Sequence, residues 1–314
     1  MTVRILSTSS LVGRSLQELG LNHPALDIAP YRSLAWKSGL ATAEALVVLL
    51  SEPLQEADLD LCPRLKVIGT FSVGMNHLPQ AACAARGIRI VNTPDVLTNA
   101  TADLALAMLL ALTRRLVDGE ALVRSGAWKG WAPDQLLGVG LSGKTCGILG
   151  AGAIGKAFAR RVAALGMTPL FWDREGKGEA VDYGTGVARR MALEDLLPKS
   201  TVLSLHCPLT AQTRGLLDRE ALERLPRGAT IINTARGGIL DEGAAVRMLH
   251  AGALGGVALD VYDAEPYVLE DWLTAPRALL LPHLGSATVE TREAMARLLC
   301  DGIAAVLEGE PAPR

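Results

Sequence analysis

Three polar residues stand apart in this chain by type and setting. Arg236 lies in Asn233-Thr234-Ala235-Arg236-Gly237-Gly238, Glu265 in Asp260-Val261-Tyr262-Asp263-Ala264-Glu265-Pro266, and His283 in Leu281-Pro282-His283-Leu284-Gly285-Ser286-Ala287-Thr288. Each comes just after an apolar run that reads as a strand, and ligands of open α/β sheets gather past strand ends. A guanidinium is a rigid fork that holds a carboxylate through two parallel hydrogen bonds. Histidine is the side chain best suited to moving a proton near neutral pH. A carboxylate beside it orients the ring and favours the imidazolium. Singly, the three read as a solvated arginine, an acid in a turn and a histidine at a strand end. Together they can hold an acid substrate and pass it a proton. With a nicotinamide to supply hydride, that is the equipment for reducing a 2-oxo acid to a 2-hydroxy acid.

The run Thr145-Cys146-Gly147-Ile148-Leu149-Gly150-Ala151-Gly152-Ala153-Ile154-Gly155-Lys156 supplies a place for such a cofactor. A short apolar strand feeds into spaced glycines, and a helical pattern leaves them. Gly150 permits the tight turn, Gly152 lets a pyrophosphate approach the backbone, and Gly155 lets the helix lie close to the strand. The first free amides of that helix, with its dipole, favour the phosphate charge. Ile154, Phe158, Val162 and Leu165 share one helical face, and Gly166 stands where a helix C-terminal glycine belongs. A second strand, Thr168 to Trp172, ends at Asp173, 18 residues after Gly155, near the spacing of a ribose-binding carboxylate. A carboxylate there repels a 2′-phosphate, so NAD is the expected cofactor. Arg174 and Lys177 can turn toward a phosphate and keep NADP open.

The 314 residues suffice for two domains, and a chain 49% hydrophobic and 20% charged is globular. A net charge of −2 leaves no strong footprint for nucleic acid. Cysteines 62, 83, 146, 207 and 300 are dispersed, show no metal-binding spacing and read as reduced thiols in a cytoplasmic protein, Cys146 and Cys300 as core fillers. No metal site is expected. The N-terminus enters a strand-like run with no signal peptide, and the longest apolar run, Leu104 to Leu112, is too short to span a bilayer.

Strand candidates are Leu46–Leu50, Leu65–Gly69 and Ile88–Val91, then Thr201–Leu205, Thr230–Asn233, Gly256–Asp260 and Ala278–Leu281, with helical stretches between most of them. Near-continuous apolar strands separated by helices mean parallel sheets covered on both faces. Thr101 to Val117 reads as a helix apolar on nearly every face, buried between domains or in a subunit interface. A loop rich in Gly and Trp spans Gly126 to Gly143, a final helix spans Thr288 to Leu307, and the tail from Gly309 frays.

With these motifs in order, the chain resembles the D-isomer-specific 2-hydroxyacid dehydrogenases over nearly its whole length. The resemblance implies an α/β fold of two doubly wound, Rossmann-like domains with a cleft between them. Residues 1–98 with 287–314 would form a flavodoxin-like substrate domain, and 99–286 the dinucleotide-binding domain. It implies that Arg236 binds substrate, Glu265 pairs with His283, and His283 is the acid/base, so that reduction is favoured on the acid side. Ser72-Val73-Gly74-Met75-Asn76 resembles the loop whose Val73 and Gly74 amides meet the substrate carboxylate. Cofactor contacts carry over to Thr101, Gly150, Gly152, Ala153, Ile154, Gly155, Asp173, Arg174, His206, Cys207, Pro208, Thr234, Ala235, Arg236, Asp260, His283 and Gly285. Cys207 is then a loop residue and not a nucleophile. A homodimer without nucleic-acid or membrane partners is expected.

Within the family, Asn92-Thr93-Pro94-Asp95-Val96-Leu97-Thr98 and the stretch from Gly130-Trp131-Ala132-Pro133 to Leu137-Gly138 look most like glyoxylate and hydroxypyruvate reductases. Rival readings are a short phosphoglycerate dehydrogenase, a phosphite-oxidising relative that shares the Arg124-to-Pro133 pattern, and a non-catalytic NAD-sensing corepressor-like scaffold.

Overall fold

The computed structural model describes residues 4–13, 15–22, 25–173 and 178–311. The chain divides into two compact units, Met1–Leu97 with Ser286–Arg314, and Thr98–Gly285.

In the first unit, strands β1 (Arg4–Ser7), β2 (Ala25–Ile28), β3 (Ala45–Val48), β4 (Val67–Thr70) and β5 (Arg89–Val91) form one parallel sheet in the order β2-β1-β3-β4-β5. That is the flavodoxin-like order, with its reversal between β1 and β3. One face of the sheet is filled by Leu6, Leu46, Val48 and Ile68 against Trp36, Leu40 and Leu59. The long helix Val289–Leu307 returns to lie on β4 and β5. Two glycines let it do so. A Cβ on Gly69 would press into Ile303 and Leu299, and one on Gly302 into Val91.

The second unit carries β6 (Thr145–Leu149), β7 (Thr168–Trp172), β8 (Ala180–Asp182), β9 (Val187–Arg189), β10 (Val202–Leu205), β11 (Ala229–Asn233), β12 (Leu254–Leu259) and β13 (Ala278–Leu280). Six of them form a parallel sheet, β13-β12-β11-β10-β6-β7. The two-residue period of a strand explains why these runs are apolar throughout. Leu203, Leu205, Ile231, Val257 and Leu259 point to one core with Leu222 and Leu249. Their neighbours Val202, Ile232 and Ala258 point to the other, with Met108, Leu109, Phe158 and Val162. Burying one such large side chain contributes about 1.5–3 kcal/mol. The sheet reverses direction between β6 and β10, which places a crevice at their C-terminal ends.

Strand limits differ from the sequence reading by one or two residues, because the hydrophobic run and the hydrogen-bonded ladder need not end together. Three differences are larger. Strand β2 has no counterpart in the sequence reading. The apolar helix runs Thr98–Thr113, not to Val117: Arg115 has φ of +54°, which breaks the helical path, and a separate helix Leu116–Arg124 follows. The antiparallel pair β8–β9 is absent from the sequence reading, since its three-residue strands carry no clear alternation. Immediately after β9, Arg190 forms an isolated parallel bridge to Phe171 of β7.

Candidate active site

The second unit assembles its polar residues along the C-terminal edge of its sheet. Gly150 follows β6 at φ of +111°, where a side chain would be strained, and an added Cβ would stand 2.7 Å from the Cys207 amide nitrogen and 2.8 Å from the His206 carbonyl carbon. The turn is thus pressed against the segment that follows β10. Gly155, one turn into the helix Ala153–Ala164, has no room for a Cβ because the Gly150 carbonyl oxygen occupies it. Gly152, the residue before that helix, faces open space. The two outer glycines close the turn while the middle one leaves the helix amides of Ala153 and Ile154 approachable, which fits a pyrophosphate. A second observation fits a bound cofactor: the Thr234 hydroxyl, just past β11, is buried without a hydrogen-bond partner among the described residues.

Beyond β7, the Gly150 amide donates to the Trp172 carbonyl at 2.8 Å, so Asp173 starts where the glycine turn starts. Arg174 and Lys177 lie outside the described residues. His206 sets its ring against Phe158, tilted at 46° with centroids 5.0 Å apart, and Nε2 lies 2.9 Å from the Ser204 hydroxyl. Burial lowers the imidazole to about 3, so the ring is neutral. Burial pushes the Cys207 thiol up to about 11, which removes it as a nucleophile. Pro208, next in the chain, is exposed.

The proton-handling residues come from three successive strand ends. Asn233 shapes the loop after β11: its Oδ1 accepts from the Ala235 amide and its Nδ2 donates to the Arg236 carbonyl, each at 3.0 Å. Gly237 is flush with the Tyr262–Asp263 backbone, so a Cβ there would overlap it. This brings the loop of Arg236 against the loop of Glu265. Arg236 Nη1 donates to the Ala235 carbonyl at 2.6 Å, and burial lowers the guanidinium, opposed by the charge of Glu265.

Glu265 uses both oxygens. Oε1 accepts from the Tyr262 amide at 3.0 Å, and Oε2 lies 2.9 Å from His283 Nδ1. Burial alone would raise this carboxyl, but the hydrogen bond and charge of His283, the Tyr262 amide and Arg236 outweigh it and hold it below the usual carboxylate range. An ionised carboxylate only accepts, so Nδ1–H is the donor and Nε2 is the nitrogen left for chemistry.

His283 itself has φ of +57°, an uncommon conformation for a residue with a side chain. The surroundings fix it from both sides. Tyr262 donates its hydroxyl to the Leu281 carbonyl at 2.9 Å, and Asp260 accepts from the Leu284 amide at 2.6 Å and the Gly285 amide at 2.8 Å. Thr101 donates to the Gly285 carbonyl at 3.0 Å. Burial raises the Asp260 carboxyl, partly offset by those amides. Glu242 supports the other side, accepting from the Asp263 amide at 2.7 Å and the Trp272 indole at 3.0 Å. The sequence reading does not single out Tyr262, Glu242 or Asn233 as working residues. Tyr262 and Glu242 bond mainly to atoms of other loops, which nothing in a one-dimensional pattern marks, whereas Asn233 bonds only within its own loop.

In the first unit, the loop Ser72–Asn76 is braced from below. Ser72 donates to the Gly74 carbonyl at 2.7 Å, and Asn92 Nδ2 to the Val73 carbonyl at 2.9 Å. With the Ser72 proton so engaged, Thr70 must donate to Ser72 and accept from His77 Nε2, each at 2.9 Å.

Residues 106–285 match the family model of the D-isomer specific 2-hydroxyacid dehydrogenase NAD-binding domain. The chain belongs to the D-isomer specific 2-hydroxyacid dehydrogenase family. This dehydrogenase is 42% identical over 274 residues to a glyoxylate reductase of Thermococcus litoralis, covering 86% of this chain and 82% of that one. A solved protein from Thermus thermophilus superposes with a TM-score of 0.90 at 40% identity, covering 99% of both chains. An NADPH-dependent glyoxylate/hydroxypyruvate reductase of Sinorhizobium meliloti, solved in complex with NADP and malonate, gives 0.86 at 31% identity, covering 98% of this chain and 94% of that one. The dehydrogenase is an NAD(P)-dependent oxidoreductase of the 2-hydroxyacid class. Among the described residues no helix is long and apolar enough to cross a membrane.

Proposed function

We propose that the enzyme reduces glyoxylate or hydroxypyruvate to the corresponding 2-hydroxy acid, in the D configuration where the product is chiral. The observation that carries this is the His283–Glu265 hydrogen bond of 2.9 Å beside a half-buried Arg236, on the same sheet edge as the glycine turn. Bound nicotinamide supplies the hydride. Gly150, Gly152, Ala153, Ile154 and Gly155 would hold the pyrophosphate, Asp173, Cys207 and Pro208 the adenosine side, and Thr101, Thr234, Ala235, Asp260 and Gly285 the nicotinamide side. His283 donates the Nε2 proton to the carbonyl oxygen, and Glu265 stabilises the imidazolium until transfer. Arg236 binds the substrate acid, and the first unit, which carries Val73 and Gly74, is the substrate domain.

The protein acts as a homodimer in a reducing, cytoplasmic setting. All five cysteines are buried and unpaired, which supports the compartment. Exposed apolar residues concentrated between Leu116 and Val139 support the dimer.

The test follows absorbance at 340 nm with NADH and NADPH separately, against glyoxylate, hydroxypyruvate, phosphohydroxypyruvate and pyruvate. Fast oxidation with either of the first two substrates is expected. Turnover confined to phosphohydroxypyruvate, or none with any acid, overturns the assignment.

A further inference from the structure

Arg190 occupies a corner of the second unit that the chemistry above does not use. The hairpin β8–β9 returns the chain to the free edge of β7, where the Met191 amide donates to the Phe171 carbonyl at 2.8 Å and Arg190 bridges Phe171 in parallel. This anchors the arginine backbone beside the strand that ends in Asp173. Its guanidinium Nη2 stands 3.9 Å from Asp173 Oδ2, with each side chain only 14% exposed, and Nη1 donates to the Gly178 carbonyl. The Asp173 charge is felt at the Cys207 thiol, on the segment pressed against the Gly150 turn. A mostly buried cation therefore shares one corner with the carboxylate proposed to take the ribose hydroxyls.

A lone carboxylate there would repel a 2′-phosphate. A guanidinium at this distance offsets that charge, and at such low exposure solvent ions screen the pair weakly. Its planar fork also matches two phosphate oxygens. We infer that Arg190 is a cofactor-selecting residue that receives the 2′-phosphate of NADP, so that Asp173 and Arg190 together let the site accept both cofactors. With NAD, the Asp173–Arg190 pair stays and the ribose hydroxyls donate to the carboxylate. With NADP, the phosphate takes the place of the carboxylate on the guanidinium. The inference rests on the ribose role of Asp173.

The experiment measures dissociation constants of NADH and NADPH by fluorescence on the full-length protein, with displacement by ADP and by 2′,5′-ADP. The unaltered protein should bind 2′,5′-ADP within about tenfold of ADP, a charged hydrogen-bond pair offsetting the carboxylate's repulsion. Arg190→Met should weaken NADPH and 2′,5′-ADP by about ten- to a hundredfold and NADH by less than about threefold. Arg190→Gln repeats the reading should the methionine variant fail to fold. Rejection of 2′,5′-ADP by the unaltered protein overturns the inference, as does equal weakening of both cofactors by the variants, or no weakening of NADPH. Asp173→Asn separates the two readings. If it leaves NADH binding unchanged, the ribose assignment itself fails. If it weakens NADH while the Arg190 variants leave the NADPH-to-NADH ratio unmoved, only the role of Arg190 fails.

Discussion

Glu265 accepts the Nδ1–H of His283 and so sets its tautomer, and the proposed proton transfer depends on that one bond. Glu265→Gln keeps the shape and offers an oxygen to the Tyr262 amide, but its amide then points donors at Nδ1 and favours the wrong tautomer. The expected loss in kcat is about 10² or more, close to that of His283→Asn, which removes the proton donor outright at about 10² to 10⁴. The two losses should not add in the double variant, because both act through the same proton; additive losses would separate the residues into independent roles. His206 gives a residue-scale prediction on stability. Its folded value is lowered to about 3 by burial, against about 6.5 in an unfolded chain. Below pH 6.5 the unfolded chain takes a proton that the folded chain refuses. The stability present above pH 6.5 is therefore lost as pH falls, by up to about 1.4 kcal/mol per pH unit. Urea unfolding between pH 6.5 and 5 should show a clearly shallower pH slope for His206→Phe than for the unaltered chain, whatever the variant's absolute stability. Equal slopes would mean the ring charges without leaving its site.

At the scale of elements, the glycine turn separates structure from ligand approach. Gly155→Ala places a methyl on the Gly150 carbonyl oxygen, so the helix Ala153–Ala164 must move off β6 at a cost of about 1–3 kcal/mol. Gly152→Ala meets nothing within 4 Å in the protein alone. Gly155→Ala should thus lower Tm and weaken NADH, whereas Gly152→Ala should weaken NADH with Tm nearly unchanged; native NADH affinity in the latter would remove the pyrophosphate from this turn. Thr145 through Leu149 and Thr168 through Trp172 are legible to the residue, since their apolar runs are bounded by Gly, Lys and Asp that stop a strand. The split of the long apolar helix at Arg115 is not, because a left-handed arginine carries no sequence mark. The hairpin β8–β9 escapes for a related reason: Val181 and Ala188 alone turn inward, too few to show a period. The His283 loop is legible as a motif, while the Asp260, Tyr262 and Thr101 bonds that hold it at φ of +57° join positions up to 184 residues apart.

For the whole molecule, the stretch after the split helix bears on assembly. Leu116 and Val123 lie seven residues apart on one helical face and are 56% and 60% exposed, and Trp131 and Leu137 follow at 83% and 67%. Apolar side chains gathered in one segment at this exposure are unfavourable in water and mark a surface for association. A symmetric pair can bury the same patch on both partners, which closes the assembly at two copies. Light scattering should return twice the 33.1 kDa chain mass at micromolar concentration. The double variant Leu116→Glu/Val123→Glu should return a single chain mass, because each copy would set two carboxylates against their counterparts in a water-poor contact. Both residues lie outside the proposed catalytic and cofactor sets, so the NADH dissociation constant of the variant reports whether the nucleotide-binding unit survives separation. A native mass of one chain, or a variant that stays paired, would place the contact elsewhere or remove it.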